Sequence, residues 1–182
     1  MRSILNLWDY PAGRPVVSDD ITEFHAARLL LLLEYCGANG HIDGLTKLAK
    51  LDFFVRYPEF FETVSSFMGQ ATTSSTEHIE SKMIRYRYGP WDKRYYDILS
   101  YLRSKDLILV LKINKGTFRF QLTETGKRIA SKIGGQNEFG QLVDQIKKVK
   151  KILGKKSGSA LKKIIYEVFQ DEVTQKSLDE VI

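Results

Sequence analysis

Apolar residues recur at helical spacing through the first third of the chain. The dense run at 24–35 predicts a first helix, and the leucines and phenylalanines at 45–55 predict a second one that stops at Pro58. A short turn around 41–44 separates the two, and the pattern at 59–68 predicts a third helix. This part of the chain is therefore expected to be a group of packed helices.

The pattern changes beyond residue 80. Apolar and polar side chains alternate at 83–88, which is typical of a strand, and Pro90 is expected to block further pairing because it lacks an N–H group. Asp92 is placed to cap a helix whose apolar residues at 95–102 share one face. A strand, a break and an amphipathic helix are thus predicted in that order.

Two β-rich runs follow at 107–111 and 117–121. They are joined through Asn114-Lys115-Gly116, a hairpin signature because Asn and Gly tolerate positive φ. Thr123 is expected to cap the next helix, in which Gly126 permits close packing. The order helix, two-stranded wing, helix is typical of a winged helix.

The last part of the chain predicts two amphipathic helices, at 138–153 and 160–169. Their apolar stripes need a hydrophobic surface to cover them, and a protein partner is one candidate. Their lysines indicate a solvated face, with contact to nucleic acid or to an acidic partner as the alternative. These lysines are Lys147, Lys148, Lys150, Lys151, Lys155, Lys156, Lys162 and Lys163.

Together the patterns predict a mainly α protein with a small β-wing (α+β), a winged helix-turn-helix core with appended C-terminal helices. The predicted parts are an N-terminal arm (1–18), an N-terminal helical part (19–68), a loop (69–80), a winged-helix part (81–133) and a C-terminal helical extension (134–182).

Charge is distributed unevenly along the 182 residues. Residues 1–80 carry 6 Lys/Arg against 11 Asp/Glu, residues 81–128 carry 12 against 4, and residues 129–182 carry 10 against 7, so the net charges of −5, +8 and +3 add to +6. A chain with one acidic and one basic half suits a protein that meets a polyanion on one side and a protein on another.

Sequence motifs for catalysis are missing. There is no phosphate-binding glycine loop, His-Glu-x-x-His pair, paired cysteine or Gly-x-Ser-x-Gly turn, and the three histidines are isolated. The single Cys36 follows an apolar run and is expected to be a core thiol. With no signal peptide and no span of about 18 apolar residues, we expect a cytoplasmic, non-enzymatic protein that takes no metal, cofactor or small-molecule substrate and contacts no membrane.

The basic half offers two kinds of binding residue. Cations on the strand, helix start and wing could neutralise DNA phosphates. Nearby tyrosines, a proline and a tryptophan are of the kind enriched in protein interfaces. The nucleic-acid candidates are Arg85, Arg87, Lys93, Arg94, Lys112, Lys115 and Arg119. The partner-binding candidates are Tyr86, Tyr88, Pro90, Trp91, Tyr95 and Tyr96.

Three segments carry a family resemblance. RYGPWDKRYY at 87–96, LTETG at 122–126 and LTKLAKLDFF at 45–54 make the chain resemble the middle components of bacterial ABC-three-component defence systems, which include the Lamassu middle subunit. The last of these segments is also similar to a helix of Panacea-type antitoxins. The resemblance spans residues 22–133.

This resemblance implies a non-catalytic adaptor subunit between an SMC-like ABC ATPase and an effector nuclease in antiphage or antiplasmid defence. DNA contact through the wing is a further expectation. The alternative from the residues is a winged-helix transcriptional regulator or antitoxin, with residues 45–57 or 92–104 as its recognition helix.

Overall fold

A computed structural model gives the fold, and it describes residues 21–70, 84–86 and 89–169. The predicted N-terminal arm and nearly all of the predicted loop lie outside these ranges.

Three helices form the N-terminal half of the described chain. Helix α1 spans Thr22–Tyr35, α2 spans Leu45–Arg56 and α3 spans Pro58–Phe67. Pro58 begins α3, where its missing N–H is not needed by the helix. All three helices are where the apolar spacing predicts them.

Five strands and four helices complete the described order. The strands are β1 (His41–Asp43), β2 (Ile84–Tyr86), β3 (Gly89–Trp91), β4 (Ile108–Asn114) and β5 (Thr117–Leu122). The helices are α4 (Tyr95–Ser104), α5 (Glu124–Gly134), α6 (Gly140–Leu153) and α7 (Gly158–Val168), with a 3₁₀ turn at Asn137–Phe139.

An antiparallel sheet has the order β1-β5-β4, and β2 pairs with β3 separately. The β4–β5 hairpin turns at Gly116, whose φ of 81° confirms the predicted need for positive φ. Ile42 in β1 lies opposite Phe120 in β5. This pairing joins the N-terminal helical part of the sequence to residues 81–133, the part predicted to be a winged helix.

Two short strands differ from the sequence predictions. The expected turn at 41–44 contains β1, and the expected break at Pro90 lies within β3, where Pro90 is opposite Arg85. Proline is compatible with a strand when its nitrogen faces away from the paired neighbour. Each strand has three residues, too few for a period of two to be recognised.

The C-terminal helices pack on the N-terminal ones. Ile146 and Val149 of α6 and Leu161 and Ile165 of α7 are fully buried, where α6 contacts α1 and α2, and α7 contacts α2 and α3. The expectation that these apolar faces bind another protein is therefore wrong, because the chain covers them itself. One hydrophobic core runs through all of these elements.

The start of α5 confirms the predicted cap. The Thr123 hydroxyl accepts a hydrogen bond from the Gly126 N–H at 2.9 Å. A Cβ on Gly126 would lie 2.0 Å from the Leu107 carbonyl oxygen, so glycine is required for the close approach of α5 to the start of the hairpin.

The protein is mainly helical with a small antiparallel sheet, the α+β class that the sequence predicts. No helix in residues 21–70 or 89–169 is long and apolar enough to cross a membrane.

Candidate functional site

A buried carboxylate lies at the centre of the helical core. Asp52 of α2 accepts two hydrogen bonds from Arg28 of α1, at 2.8 and 3.2 Å, and a third from the Tyr95 hydroxyl at 2.7 Å. All three side chains are fully buried. Such pairs are stable only when the carboxylate and the guanidinium are both well hydrogen-bonded, and here the three bonds join α1, α2 and α4.

A second carboxylate holds the start of α4. Asp92 accepts from Arg56 at 2.8 Å and from the Arg94 side chain at 2.9 and 2.8 Å, and it also accepts the Arg94 backbone N–H. The His25 ring lies between the two groups, with its nitrogens 2.9 Å from an Arg28 nitrogen and 2.8 Å from an Arg94 nitrogen. We call these residues the polar cluster: His25, Arg28, Asp52, Arg56, Asp92, Arg94 and Tyr95.

Electrostatics in the polar cluster follow from burial and close cations. Burial alone raises the pKa of Asp92, but the hydrogen bonds from Arg94 and the charge of Arg56 outweigh it and hold the pKa well below its usual range. Burial, with the charge of Asp52, raises the pKa of the Tyr95 hydroxyl well above its ordinary value. Asp92 is therefore charged and Tyr95 neutral at physiological pH.

The aromatic residues predicted to bind partners divide into inner and outer ones. Tyr95 is 0% exposed and Trp91 is 8% exposed, with their rings 5.3 Å apart at a near-perpendicular angle. Tyr96, by contrast, is 62% exposed. Two rings that the sequence suggests for docking thus stabilise the core, and of these three rings Tyr96 is the exposed one.

Two of the other partner-binding candidates belong to the β2–β3 strand pair. Tyr86 is paired with Gly89, and Pro90 is opposite Arg85. Tyr88 lies outside the described residues.

Some of the predicted nucleic-acid residues form ion pairs within the chain, and others are exposed to solvent. Arg94 binds Asp92 within the chain, and Arg119 makes two hydrogen bonds to Asp43, at 2.7 and 2.9 Å. The exposed ones are Lys93, Lys112 and Lys115, the last two on the β4–β5 hairpin. Arg85 lies in β2, and Arg87 is outside the described residues.

An apolar groove of about 220 Å³ lies between α4 and the β4–β5 hairpin. Tyr96, Leu99, Ser100 and Arg103 line it from α4. Val110, Phe118 and Phe120 line it from the hairpin, and Leu45 closes it from the start of α2. We call this feature the hairpin groove.

The β4 side chains outside the groove are also apolar. Leu109 and Leu111 are 44% and 42% exposed opposite Gln121 and Arg119 of β5, and Ile113, at the register irregularity between Lys112 and Asn114, is exposed as well. Among the described strands, β4 is at the edge of the sheet, with β5 as its neighbour. An exposed apolar edge strand is a surface on which another chain can pack or pair. We call these three residues the outer hairpin face.

Sequence reasoning missed most of the polar cluster. The sequence pattern marks His25 only as an isolated histidine, whereas in the structure it is 1% exposed and belongs to the cluster. The sequence does contain a signal, which is the presence of polar residues inside apolar runs. His25 and Arg28 lie three positions apart within the apolar run of α1, and Asp52 lies within that of α2. Charged residues among core leucines require partners, but the partners come from elements distant in the sequence.

No family model, no curated protein and no solved structure matches this chain. Across the ranges that the structure describes, no three His, Cys, Asp or Glu residues come together as a group able to hold a metal ion. What the fold and site define is a helix-rich α+β protein with a buried polar cluster and an apolar surface around one hairpin.

Proposed function

We propose that this chain is a cytoplasmic, non-catalytic adaptor that binds protein partners through α4 and the β4–β5 hairpin. One observation carries the proposal. Five of the six exposed large hydrophobic side chains in the described part of the chain belong to this region: Tyr96, Leu109, Leu111, Ile113 and Phe118. Tyr96 and Phe118 lie on the groove side of the hairpin and the three β4 residues lie outside the groove, and exposed apolar side chains gathered in this way are typical of interaction sites in soluble proteins.

The proposed fold of this adaptor is a winged helix larger than residues 81–133. Its support is the order α1, β1, α2, α4, β4, β5 with strand order β1-β5-β4, in which the hairpin is the wing and α4 occupies the position of a recognition helix. Helix α3 and the β2–β3 pair are then an insertion between the two helices of the helix-turn-helix.

The proposed partners are an SMC-like ABC ATPase and an effector nuclease of a bacterial defence system. Their support is the resemblance of 87–96, 122–126 and 45–54 to middle components of ABC-three-component systems. In the first of these segments, Trp91, Asp92 and Tyr95 are buried and contribute to the core. Similarity there therefore supports a shared architecture of the subunit, while the exposed hairpin is proposed to contact the partner.

Co-expression with the products of the flanking genes tests this function. We expect the chain to elute with an SMC-like ATPase in size-exclusion chromatography after affinity capture of either protein. A stable lone monomer, with no ATPase in the same fractions, would contradict the adaptor function.

A DNA-binding regulator or antitoxin is the second candidate, favoured by the exposed Lys112 and Lys115 on the hairpin. Such a protein would prefer its operator over random DNA by about 10³-fold or more, and its affinity would fall with salt. A gel-shift series with random competitor distinguishes the two functions. Against this candidate, the surface between α4 and the hairpin, where a winged helix would meet bases, is lined mainly by apolar side chains.

A further inference from the structure

The hairpin groove has an apolar floor, one cationic lining residue on α4 and a second cation on the same side of the hairpin. Its floor is formed by Leu99, Val110 and Phe120, and Phe118 stands at its side, 44% exposed. Arg103 is exposed and lines one side of the groove. It follows Tyr96 and Ser100 on the same face of α4, at spacings of seven and three residues. The groove thus combines a site for apolar side chains with positive charge in reach of their flanks.

The second cation comes from the hairpin. Lys112 is opposite Phe118 in the β4–β5 register and two residues from Val110, so it lies on the groove side of the strand pair. Arg119 belongs to the other face, where it is neutralised by Asp43. None of the residues that line the groove is acidic.

The size of the groove limits its occupant. Its volume of about 220 Å³ is below the roughly 300–1,000 Å³ of pockets that enclose small molecules. A smaller apolar pocket suits single anchor side chains, which commonly fill well-packed pockets at the centre of protein interfaces. A groove beside a helix is also the geometry in which amphipathic segments are bound.

From these observations we propose that the hairpin groove binds a short amphipathic segment of a partner protein. One or two large apolar side chains enter the groove, and flanking Asp or Glu residues pair with Arg103 and Lys112. The inference rests on the proposed adaptor function and specifies the chemistry of the partner segment. Because the lining residues include a cation and none of them is acidic, the charge of the groove, together with its apolar floor, favours this occupant over a basic or a purely apolar segment.

A random 12-residue peptide library displayed on phage tests this proposal. The full chain is the target, and clones that also bind Ser100→Trp are removed, because Ser100 lines the groove and an indole at this position is expected to obstruct it. We expect the remaining clones to combine one or two large apolar residues with an excess of Asp and Glu. Clones enriched in Lys and Arg, or no clones that depend on the groove, would overturn the proposal.

Charge reversal supplies a second measurement with a matched control. A fluorescein-labelled selected peptide should bind Arg103→Glu/Lys112→Glu about tenfold or more weakly than the wild-type chain, and a peptide with its acidic residues changed to Lys should recover that affinity. Lys151→Glu/Lys163→Glu changes the net charge equally at exposed positions of α6 and α7. An equal loss with this control would mean that the peptide senses only overall charge and would overturn the proposal.

The adaptor function and the binding of an acidic segment in the hairpin groove can be contradicted independently of each other. If the ATPase complex forms and Arg103→Glu/Lys112→Glu retains it, the adaptor stands and the acidic segment is excluded. If no complex forms while the groove still selects acidic peptides, the adaptor function is wrong and the chemistry of the groove stands. In both cases thermal unfolding of each variant confirms that the exposed substitutions leave the fold unchanged.

Discussion

At the residue scale, Asp52 and Asp92 connect helices that are distant in the sequence. Asp52 joins α1 and α4 to α2 through Arg28 and Tyr95, and Asp92 brings Arg56 of α2 to the start of α4. Removing one member of a buried pair leaves an uncompensated polar group, which costs more than the net contribution of the pair. The position of α4, and of the docking surface proposed on it, therefore depends on these side chains.

Tyr95→Phe tests the hydrogen bond to Asp52. The change removes only a hydroxyl that donates to a buried carboxylate at 2.7 Å, and we expect it to lower the free energy of unfolding by about 1.5–3 kcal/mol. The neighbouring Tyr96→Phe is a matched control because Tyr96 is exposed, and its effect should stay within about 0.5 kcal/mol. Urea denaturation measures both values, and equal values would contradict the assigned role.

Asp92→Asn tests the electrostatics of the α4 start. Because Arg94 and Arg56 lower the pKa of Asp92 in the folded protein, its carboxylate stabilises the fold above the unfolded pKa of about 4, and this contribution is lost as pH falls through the folded pKa. The variant should be less stable at neutral pH and should show a shallower decline of stability under acid. Parallel profiles for wild type and variant between about pH 5 and pH 2 would contradict this assignment.

Lys50 gives a prediction for alkaline pH. Burial, followed by the charge of Lys162, lowers its pKa to about 7, while the unfolded chain keeps a value of about 10.4. Between these values the unfolded state binds a proton that the folded state does not, so stability should rise with pH over that interval. Lys50→Met should flatten the rise, whereas Lys151→Met on the exposed face of α6 should retain it.

At the element scale, the β4–β5 hairpin is held by a close contact at its base. Gly126 of α5 lies against the Leu107 carbonyl, and Thr123 caps the same helix. Since both residues follow β5 directly, the hairpin and α5 form one unit. The resemblance segment at 122–126 thus has a local physical basis.

Gly126→Ala tests this contact. The added Cβ would lie 2.0 Å from the Leu107 oxygen, and the shift that it forces should lower the free energy of unfolding by about 1–3 kcal/mol. Gly135→Ala is the control at the other end of α5, because its Cβ meets no atom closer than 3.5 Å and its φ is −84°. Chemical denaturation should separate the two variants clearly, and similar curves would argue against the close approach.

Elements could be predicted from the sequence where the periodic pattern is long. Helices α1, α2, α6 and α7 each contain three or more turns of apolar spacing, and the hairpin carries its own turn signal in Asn114-Lys115-Gly116. Strand β1 was not predicted because three residues show no period, and its pairing with β5 depends on contacts about 80 residues apart.

The candidate site was predicted only in part, for a similar reason. Aromatic and basic residue types identify the region of α4 and the hairpin, but burial decides which of them reach a partner. Trp91 and Arg94 are engaged within the chain, while Phe118 and Leu111 are exposed although their β-rich runs were expected only to form strands. Exposure of single strand residues is set by which neighbours cover the sheet, and that is a property of the tertiary structure.

At the scale of the whole molecule, the C-terminal helices complete the core and leave the hairpin uncovered. Helices α6 and α7 bury their apolar stripes against α1, α2 and α3. The exposed apolar surface is thereby concentrated around α4 and the hairpin, which is the basis of the proposed adaptor function.

Capture of the SMC-like ATPase by two variants tests this central claim most directly. Leu111→Asp/Phe118→Asp places a charge on each face of the hairpin, and Phe67→Asp/Gln141→Asp adds the same charge at exposed positions of α3 and α6. We expect the control to retain the ATPase at the wild-type level and the hairpin variant to lose about 2 kcal/mol or more of binding free energy. Equal retention of the ATPase by the two variants would contradict a hairpin that docks protein.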